Sequence, residues 1–180
     1  MAGPGWNFAN VFETVAGQVP DELAQQQGDR ATTWREFDGR ADGVGHALLE
    51  AGLTEQDKVA QYLHNGPEYI ESVFAAFKAG MATVNTNHRY GADELTYLWE
   101  NADVVAVVFH GVFSERIDSL RHRMSDIRLW LWVDDGSGPC PSWATPYEEA
   151  AAAGTDDDVS GPWGRSGDHL LLLYTGGTTG

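Results

Sequence analysis

The sequence predicts an α/β fold, a mostly parallel sheet flanked by helices. Two observations carry that expectation. From Lys58 onward, short apolar runs alternate with segments whose apolar residues recur at helical spacing, the pattern of repeated β-α-β units with right-handed crossovers. The runs Ala82 to Val84, Val104 to Phe109 and Leu129 to Val133 are also nearly continuous in apolar residues, as strands covered on both faces should be.

Phe8, Val11, Phe12 and Val15 recur at helical spacing and Pro20 stops the pattern, so a short helix comes first. Glu22 to Gln26 and Ala31 to Thr33 flank a Gly28-Asp29 turn and predict a small hairpin. Thr33-Trp34-Arg35-Glu36 has the S/T-x-x-E form of a helix start, in which the Thr hydroxyl and the Glu side chain satisfy orphan N–H groups. The stripe Phe37, Ala41, Val44, Leu48 extends that helix until Gly52, which suits a left-handed cap. Val59 to Leu63 reads as a strand, Asn65-Gly66-Pro67-Glu68 as a turn and helix start, and Tyr69, Ile70, Val73, Phe74 and Phe77 as a helix face closed by Gly80. The strand Ala82 to Val84 leads to a helix carrying Leu95, Leu98 and Trp99. The strand Val104 to Phe109 leads to a helix whose stripe is Phe113, Ile117, Leu120 and Met124, and strand Leu129 to Val133 follows. Residues 134–168 break the rhythm with Gly, Pro and Asp and are expected to form a long surface excursion, holding a short Ala-rich helical stretch near Tyr147 to Ala153. His169 to Tyr174 is expected to resume as a buried strand.

The chain has 180 residues with 11 Lys+Arg against 27 Asp+Glu, a net charge of −16 that argues against nucleic-acid binding, which needs clustered cations. Hydrophobic residues at 42% promise a packed core, and the length suits one domain or one lobe of a larger one. A single cysteine, Cys140, excludes an internal disulfide framework and a Cys-based zinc site. The start, M-A-G-P-G-W-N-F, has no basic n-region followed by a long apolar stretch, and the longest apolar runs are too short for a membrane span. A soluble, cytoplasmic protein without a transmembrane segment is expected.

The informative segment is L-L-L-L-Y-T-G-G-T-T-G, from Leu170 to Gly180. Its glycines let successive peptide N–H groups turn inward and form a nest for phosphate oxygens, with Thr hydroxyls added. The strand before it places the nest at the carboxyl edge of the sheet, where open α/β folds bind ligands. The bland alternative is a plain Gly/Thr turn. The dinucleotide fingerprint G-x-G-x-x-G is absent, and Gly43-Val44-Gly45, the nearest approach to it, falls inside a helix and reads as packing.

Y-T-G-G-T-T-G resembles the opening of the phosphate-loop signature of the adenylate-forming (AMP-binding) superfamily, Y-T-[SG]-G-[ST]-T-G-x-P-K-G. Thr33 to Asp38, T-W-R-E-F-D, is similar to the family's T-[YW]-x-E-[LF]-x helix start. Asn65 to Glu68 is similar to its N-x-P-E turn, and Phe77-Lys78-Ala79-Gly80 to its L-K-A-G. Val84-Asn85-Thr86-Asn87-His88-Arg89-Tyr90, followed by Glu94-Leu95, most resembles the acyl-CoA synthetase branch. The resemblance implies the N-terminal part of the large domain of an adenylate-forming enzyme, truncated within the phosphate loop, since members are much longer than this chain. It implies a parent that joins a fatty or other hydrophobic carboxylic acid to coenzyme A at the expense of ATP, with Mg²⁺ on the nucleotide, through an acyl-adenylate. An aryl-acid ligase or a carrier-loading adenylation domain is the alternative within the family. It also implies phosphate binding by Thr175, Gly176, Gly177, Thr178, Thr179 and Gly180. No catalytic residue is expected in the chain itself, and taken alone it is expected to bind ATP weakly and to aggregate or order only in part. From another class, a non-catalytic binding module remains the competing reading.

His64, Asn85, Asn87, His88, His110 and Asp134-Asp135 all follow predicted strands and so share the carboxyl edge, where they are candidates for substrate contact, although such loops are polar anyway. The histidines have no metal-ligand spacing, and Asp156-Asp157-Asp158 reads as a solvated loop. Arg121-His122-Arg123 reads as plain surface, and Trp130 and Trp132 as core.

Overall fold

The computed structural model describes residues 5–154 and 159–174. Helix α1 (Phe8–Gln18) starts at Asn7, whose Oδ1 accepts the Ala9 N–H at 2.9 Å. The expected hairpin forms from β1 (Leu23–Gln27) and β2 (Arg30–Thr33), paired antiparallel. Helix α2 (Trp34–Glu50) begins with the predicted capping box. The Glu36 N–H donates to Thr33 Oγ1 at 3.3 Å and the Thr33 N–H to Glu36 Oε2 at 2.8 Å. Past its end Gly52 adopts φ 77°, the left-handed cap that its missing Cβ permits.

The main sheet is built from β3 (Lys58–Tyr62), β4 (Ala82–Asn85), β5 (Val104–His110), β6 (Leu129–Val133), β7 (Thr145–Pro146) and β8 (Leu171–Leu173). Among the described residues its order is β7-β6-β5-β3-β4-β8, and every pairing is parallel. The chain runs from β3 to β4 through α3 (Pro67–Lys78), then crosses back through α4 (Ala92–Asn101) to β5 on the other side of β3. Helix α5 (Ser114–Leu120) leads to β6, and α6 (Tyr147–Ala152) follows β7. The reversal around β3 makes the carboxyl edge there a topological switch point.

Two apolar layers hold the sheet. On one face Val59, Leu63, Val105 and Val108 meet α2 and α3 through Phe37, Val44, Leu48 and Phe74, with Phe37 and Phe74 stacked at 5.3 Å. On the other Ala60, Tyr62, Val107 and Phe109 meet α4 and α5 through Leu95, Trp99, Ile117 and Leu120. Each of the large side chains so removed from water contributes about 1.5–3 kcal/mol. Trp130 and Trp132 lie in this second layer, as the strand reading requires. The glycines at 43 and 45 serve packing: a Cβ on Gly43 would sit 2.2 Å from the Ala150 carbonyl oxygen.

Three expectations change. The helix from Phe113 to Met124 is broken into a 3₁₀ turn (Gly111–Phe113), α5 and a second 3₁₀ turn (Arg121–Arg123), although its four stripe residues are all buried. Residues 134–168 are not a surface excursion throughout. Tyr147, Ala150, Ala151 and Val159 enter the first apolar layer, because α6 packs against α2 where Gly43 lets it approach. The segment His169 to Tyr174 is not a buried strand: Leu171 and Leu173 of β8 are 41% and 64% exposed, since β8 has β4 as its one sheet neighbour among the described residues. No described helix is long and apolar enough to cross a membrane.

Candidate functional site

The carboxyl ends of β3, β4, β5 and β8 open onto one edge, and the loops after them carry the histidines and asparagines singled out above. His64 lies between two other imidazoles, its ring 4.8 Å from that of His88 and 5.6 Å from that of His110. The His64 N–H donates to His110 Nδ1 at 3.0 Å, which makes that nitrogen an acceptor. Burial holds the His110 imidazole below the usual histidine range, against the nearby charges of Asp135 and Glu68, while His64 adds to the lowering. His110 is therefore a neutral brace for the β3 loop.

The loop after β4 is braced as firmly. Trp99 Nε1 donates to Thr86 Oγ1 at 3.2 Å, and the Arg89 N–H to Asn87 Oδ1 at 3.0 Å. The Tyr62 hydroxyl donates to the Tyr90 carbonyl at 3.0 Å, and Arg116 donates both to that carbonyl at 2.9 Å and to the Tyr62 oxygen. Asp134 and Asp135 are occupied locally: Asp134 Oδ1 accepts the Gly136 N–H at 2.9 Å, and Asp135 Oδ2 the Val112 N–H at 2.9 Å.

Between these loops is a cavity of about 280 Å³, with Asn65, Asn85, Thr86, Asn87, His88 and Tyr174 in its wall. Its described lining offers amide, hydroxyl and imidazole groups and, among the described residues, no carboxylate, in a chain of net charge −16. That donor set fits an anionic or strongly polar ligand. The pairing of Asn85 with Leu173 sets Tyr174 in this wall, and the chain continues from Tyr174 into Thr175.

The sequence reasoning thus located His64, Asn85, Asn87, His88 and His110 on one edge, and the structure brings His64, His88 and His110 together. Asp134 and Asp135 lie on the same edge without lining the cavity. Thr175, Gly176, Gly177, Thr178, Thr179 and Gly180, like Asp156 to Asp158, lie outside the described residues. Sequence reasoning missed Tyr62 and Arg116. Tyr62 looks like any aromatic strand residue, and nothing local marks Arg116 as its partner. Arg121, in the expected plain surface, pairs with Asp118 at 2.7 Å and covers the Trp143 ring at 5.0 Å. Among the described residues no group of three His, Cys, Asp or Glu side chains is placed to hold a metal ion.

Comparison with known proteins adds a lineage to this geometry. The family model described as AMP-binding enzyme matches residues 12–180. The chain is 35% identical over 176 residues to a medium/long-chain-fatty-acid–CoA/3-oxocholest-4-en-26-oate–CoA ligase of Mycobacterium tuberculosis, covering 97% of this chain and 32% of the relative. It is 31% identical over 174 residues to a 3-oxocholest-4-en-26-oate–CoA ligase of Rhodococcus rhodochrous, covering 97% and 31%. The chain spans about a third of the length of these curated relatives. Among solved structures, an anthranilate CoA ligase, AuaEII, in complex with anthranoyl-AMP superposes with a TM-score of 0.86 at 21% identity, over 98% of this chain and 33% of that one. The N-terminal domain of FACL13 from Mycobacterium tuberculosis gives 0.80 at 22% identity, over 97% and 42%. At such identities the structures speak for the fold.

Proposed function

Because the chain belongs to the AMP-binding enzyme family, we propose that it is the N-terminal share of an ATP-dependent acyl-CoA synthetase acting on fatty or other hydrophobic carboxylic acids. The reaction runs in two displacements. A carboxylate oxygen attacks the α-phosphorus of ATP and expels pyrophosphate, and the thiol of coenzyme A then attacks the acyl carbon and expels AMP. In this reading Thr175, Gly176, Gly177, Thr178, Thr179 and Gly180 hold the β and γ phosphates. Fixed N–H and hydroxyl donors disperse their charge without having to reorganise. Mg²⁺ bound to the nucleotide would supply further charge neutralisation.

The observation that supports the reading is the register between β4 and β8, which sets Tyr174, the residue before the glycine-threonine run in the sequence, in the wall of a polar cavity with no carboxylate among its described lining residues. The fatty and steroid acid names of the relatives support a hydrophobic acid as substrate. The test uses the full protein that carries this chain. Medium- and long-chain fatty acids, a steroid C26 acid and benzoate are supplied singly with Mg·ATP, and acid-dependent exchange of labelled pyrophosphate into ATP is measured. Thioester formation is then followed after adding coenzyme A. Exchange with hydrophobic acids is expected; exchange with none of them would sink the proposal, and benzoate alone would favour the aryl-acid reading.

A further inference from the structure

We propose that Asn7, Gln56 and His169 form a clasp that sets the register of β8 and so positions the glycine-threonine run after Tyr174; this rests on the nucleotide-binding reading above. β8 cannot choose its own register. It is three residues long and lies in a run from Leu170 to Leu173 whose members are interchangeable. Register is normally enforced by the contrast between a buried and an exposed face, and four consecutive leucines offer no such contrast, so a slip exchanges one leucine for another. Something outside the strand has to fix it.

Fixed points stand immediately before the strand. The Leu170 N–H donates to Gln56 Oε1 at 2.7 Å. Gln56 is itself held at φ 60°, a left-handed conformation uncommon for a residue with a Cβ. Its backbone N–H and its Nε2 both reach the Gly80 carbonyl, at 3.0 and 3.3 Å. His169, with its side chain 2% exposed, has Nδ1 3.1 Å from Asn7 Nδ2 and Nε2 3.3 Å from Glu55 Oε1. Asn7 is not free to turn, because its Oδ1 caps α1 and its Nδ2 also donates to the Phe77 carbonyl at 2.9 Å. The second Nδ2 proton therefore goes to His169 Nδ1, which leaves the imidazole proton on Nε2, facing the Glu55 carboxylate.

The approach to the clasp is held as well. Trp163 Nε1 donates to the Ala79 carbonyl at 3.1 Å, and Arg165 pairs with Glu13. Gly80 is obligatory at this crossing: it has φ 75°, and a Cβ there would stand 2.4 Å from Trp163 Nε1. The cap of α1, the turn before β3 and the end of α3 thus converge on His169 and Leu170. At about 3.3 Å per strand residue, a two-residue slip of β8 would move Tyr174, from which the glycine-threonine run continues, by roughly 7 Å along the sheet. Donors to a phosphate do not survive such a displacement.

The test uses the full protein. His169→Leu keeps bulk and removes both hydrogen bonds, His169→Asn keeps an acceptor toward Asn7, and Gln56→Gly removes the contact to Leu170 while relieving the left-handed strain, so it keeps the fold. The KM for Mg·ATP is expected to rise about tenfold in His169→Leu and Gln56→Gly, with the KM for coenzyme A unchanged and most of the effect rescued in His169→Asn. Amide exchange is expected to quicken about tenfold at Leu171 to Leu173 and to hold steady in β3 and β5. An unchanged KM for Mg·ATP, or exchange rising evenly over the sheet, overturns the clasp. If the wild-type protein shows no acid-dependent ATP turnover, the functional reading fails, and local exchange alone then decides the clasp.

Discussion

Lys78 is 3% exposed and faces Asp42 at 2.5 Å, Asp38 at 2.6 Å and Glu13 at 3.6 Å, with the Phe74 ring beneath it at 4.8 Å. One ammonium thus serves three carboxylates drawn from α1 and α2. Desolvation raises the Asp42 carboxyl to about 6 despite the Lys78 charge, and the neighbouring charges of Asp38 and Glu13 push in the same direction. A carboxyl whose folded pKa lies above its unfolded value favours the native state while it is protonated. Its contribution is fully present below the unfolded value of about 4 and is lost as pH rises through about 6. A shift of this size is about 3 kcal/mol at most, and residual contact with water reduces the expectation to roughly 1 kcal/mol. Asp42→Asn imitates the protonated form and leaves Lys78 two carboxylates. In urea melts of the full protein the variant is expected to lose about 1 kcal/mol less than wild type between pH 4 and pH 7. Parallel pH profiles for the two proteins would refute this.

α6 shows what an element contributes when its pattern is too short to reveal a buried face. Tyr147 is wholly buried and donates its hydroxyl to Glu71 Oε2 at 3.1 Å, while Arg40 bridges Glu71 at 3.1 Å and Glu148 at 2.8 Å. Burial, reinforced by the Glu71 charge, drives the Tyr147 hydroxyl well above the usual phenol range, so it stays a donor. Tyr147→Phe keeps the ring but removes one of the donors to a buried carboxylate, which is expected to cost about 1–3 kcal/mol in chemical denaturation. A loss below about 0.5 kcal/mol would show that α6 docks by its apolar face alone. The same helix marks where sequence reading stops. The parallel strands were legible because both of their faces are buried, which leaves a continuous apolar run. The capping box of α2 was legible because Thr33 and Glu36 interact locally. The Ala-rich composition near Tyr147 to Ala153 made α6 legible as a helix, but six helical residues cannot display a period, so its burial against α2 was not legible. The Leu170 to Leu173 run suggests burial, whereas Leu171 and Leu173 are exposed where β8 has β4 as its one sheet neighbour among the described residues, and composition does not report a strand's neighbours. At the candidate site, the post-strand rule found the three imidazoles, whereas the Tyr62–Arg116 brace depends on helix α5 folding back over β3.

Across the whole molecule, two forces act on association between copies. The −16 charge repels them, while β8, which among the described residues pairs with β4 alone, presents two exposed leucines. Their ranges differ. Repulsion reaches about 30 Å at 0.01 M salt but only about 8 Å at 0.15 M, whereas strand pairing acts at contact and is nearly insensitive to salt. The 180-residue chain is therefore expected to self-associate more as salt rises, the reverse of an assembly held by ion pairs. Leu173→Lys places a charge on the edge while changing the net charge by a single unit, so the long-range repulsion is preserved. Light scattering on a sizing column at 0.01 M and 0.5 M salt should show the wild-type mass rising and the variant's mass staying constant. If both rise alike, the contact lies elsewhere, and the exposed apolar residues of α1, Phe8 and Val11, become the surface to alter next.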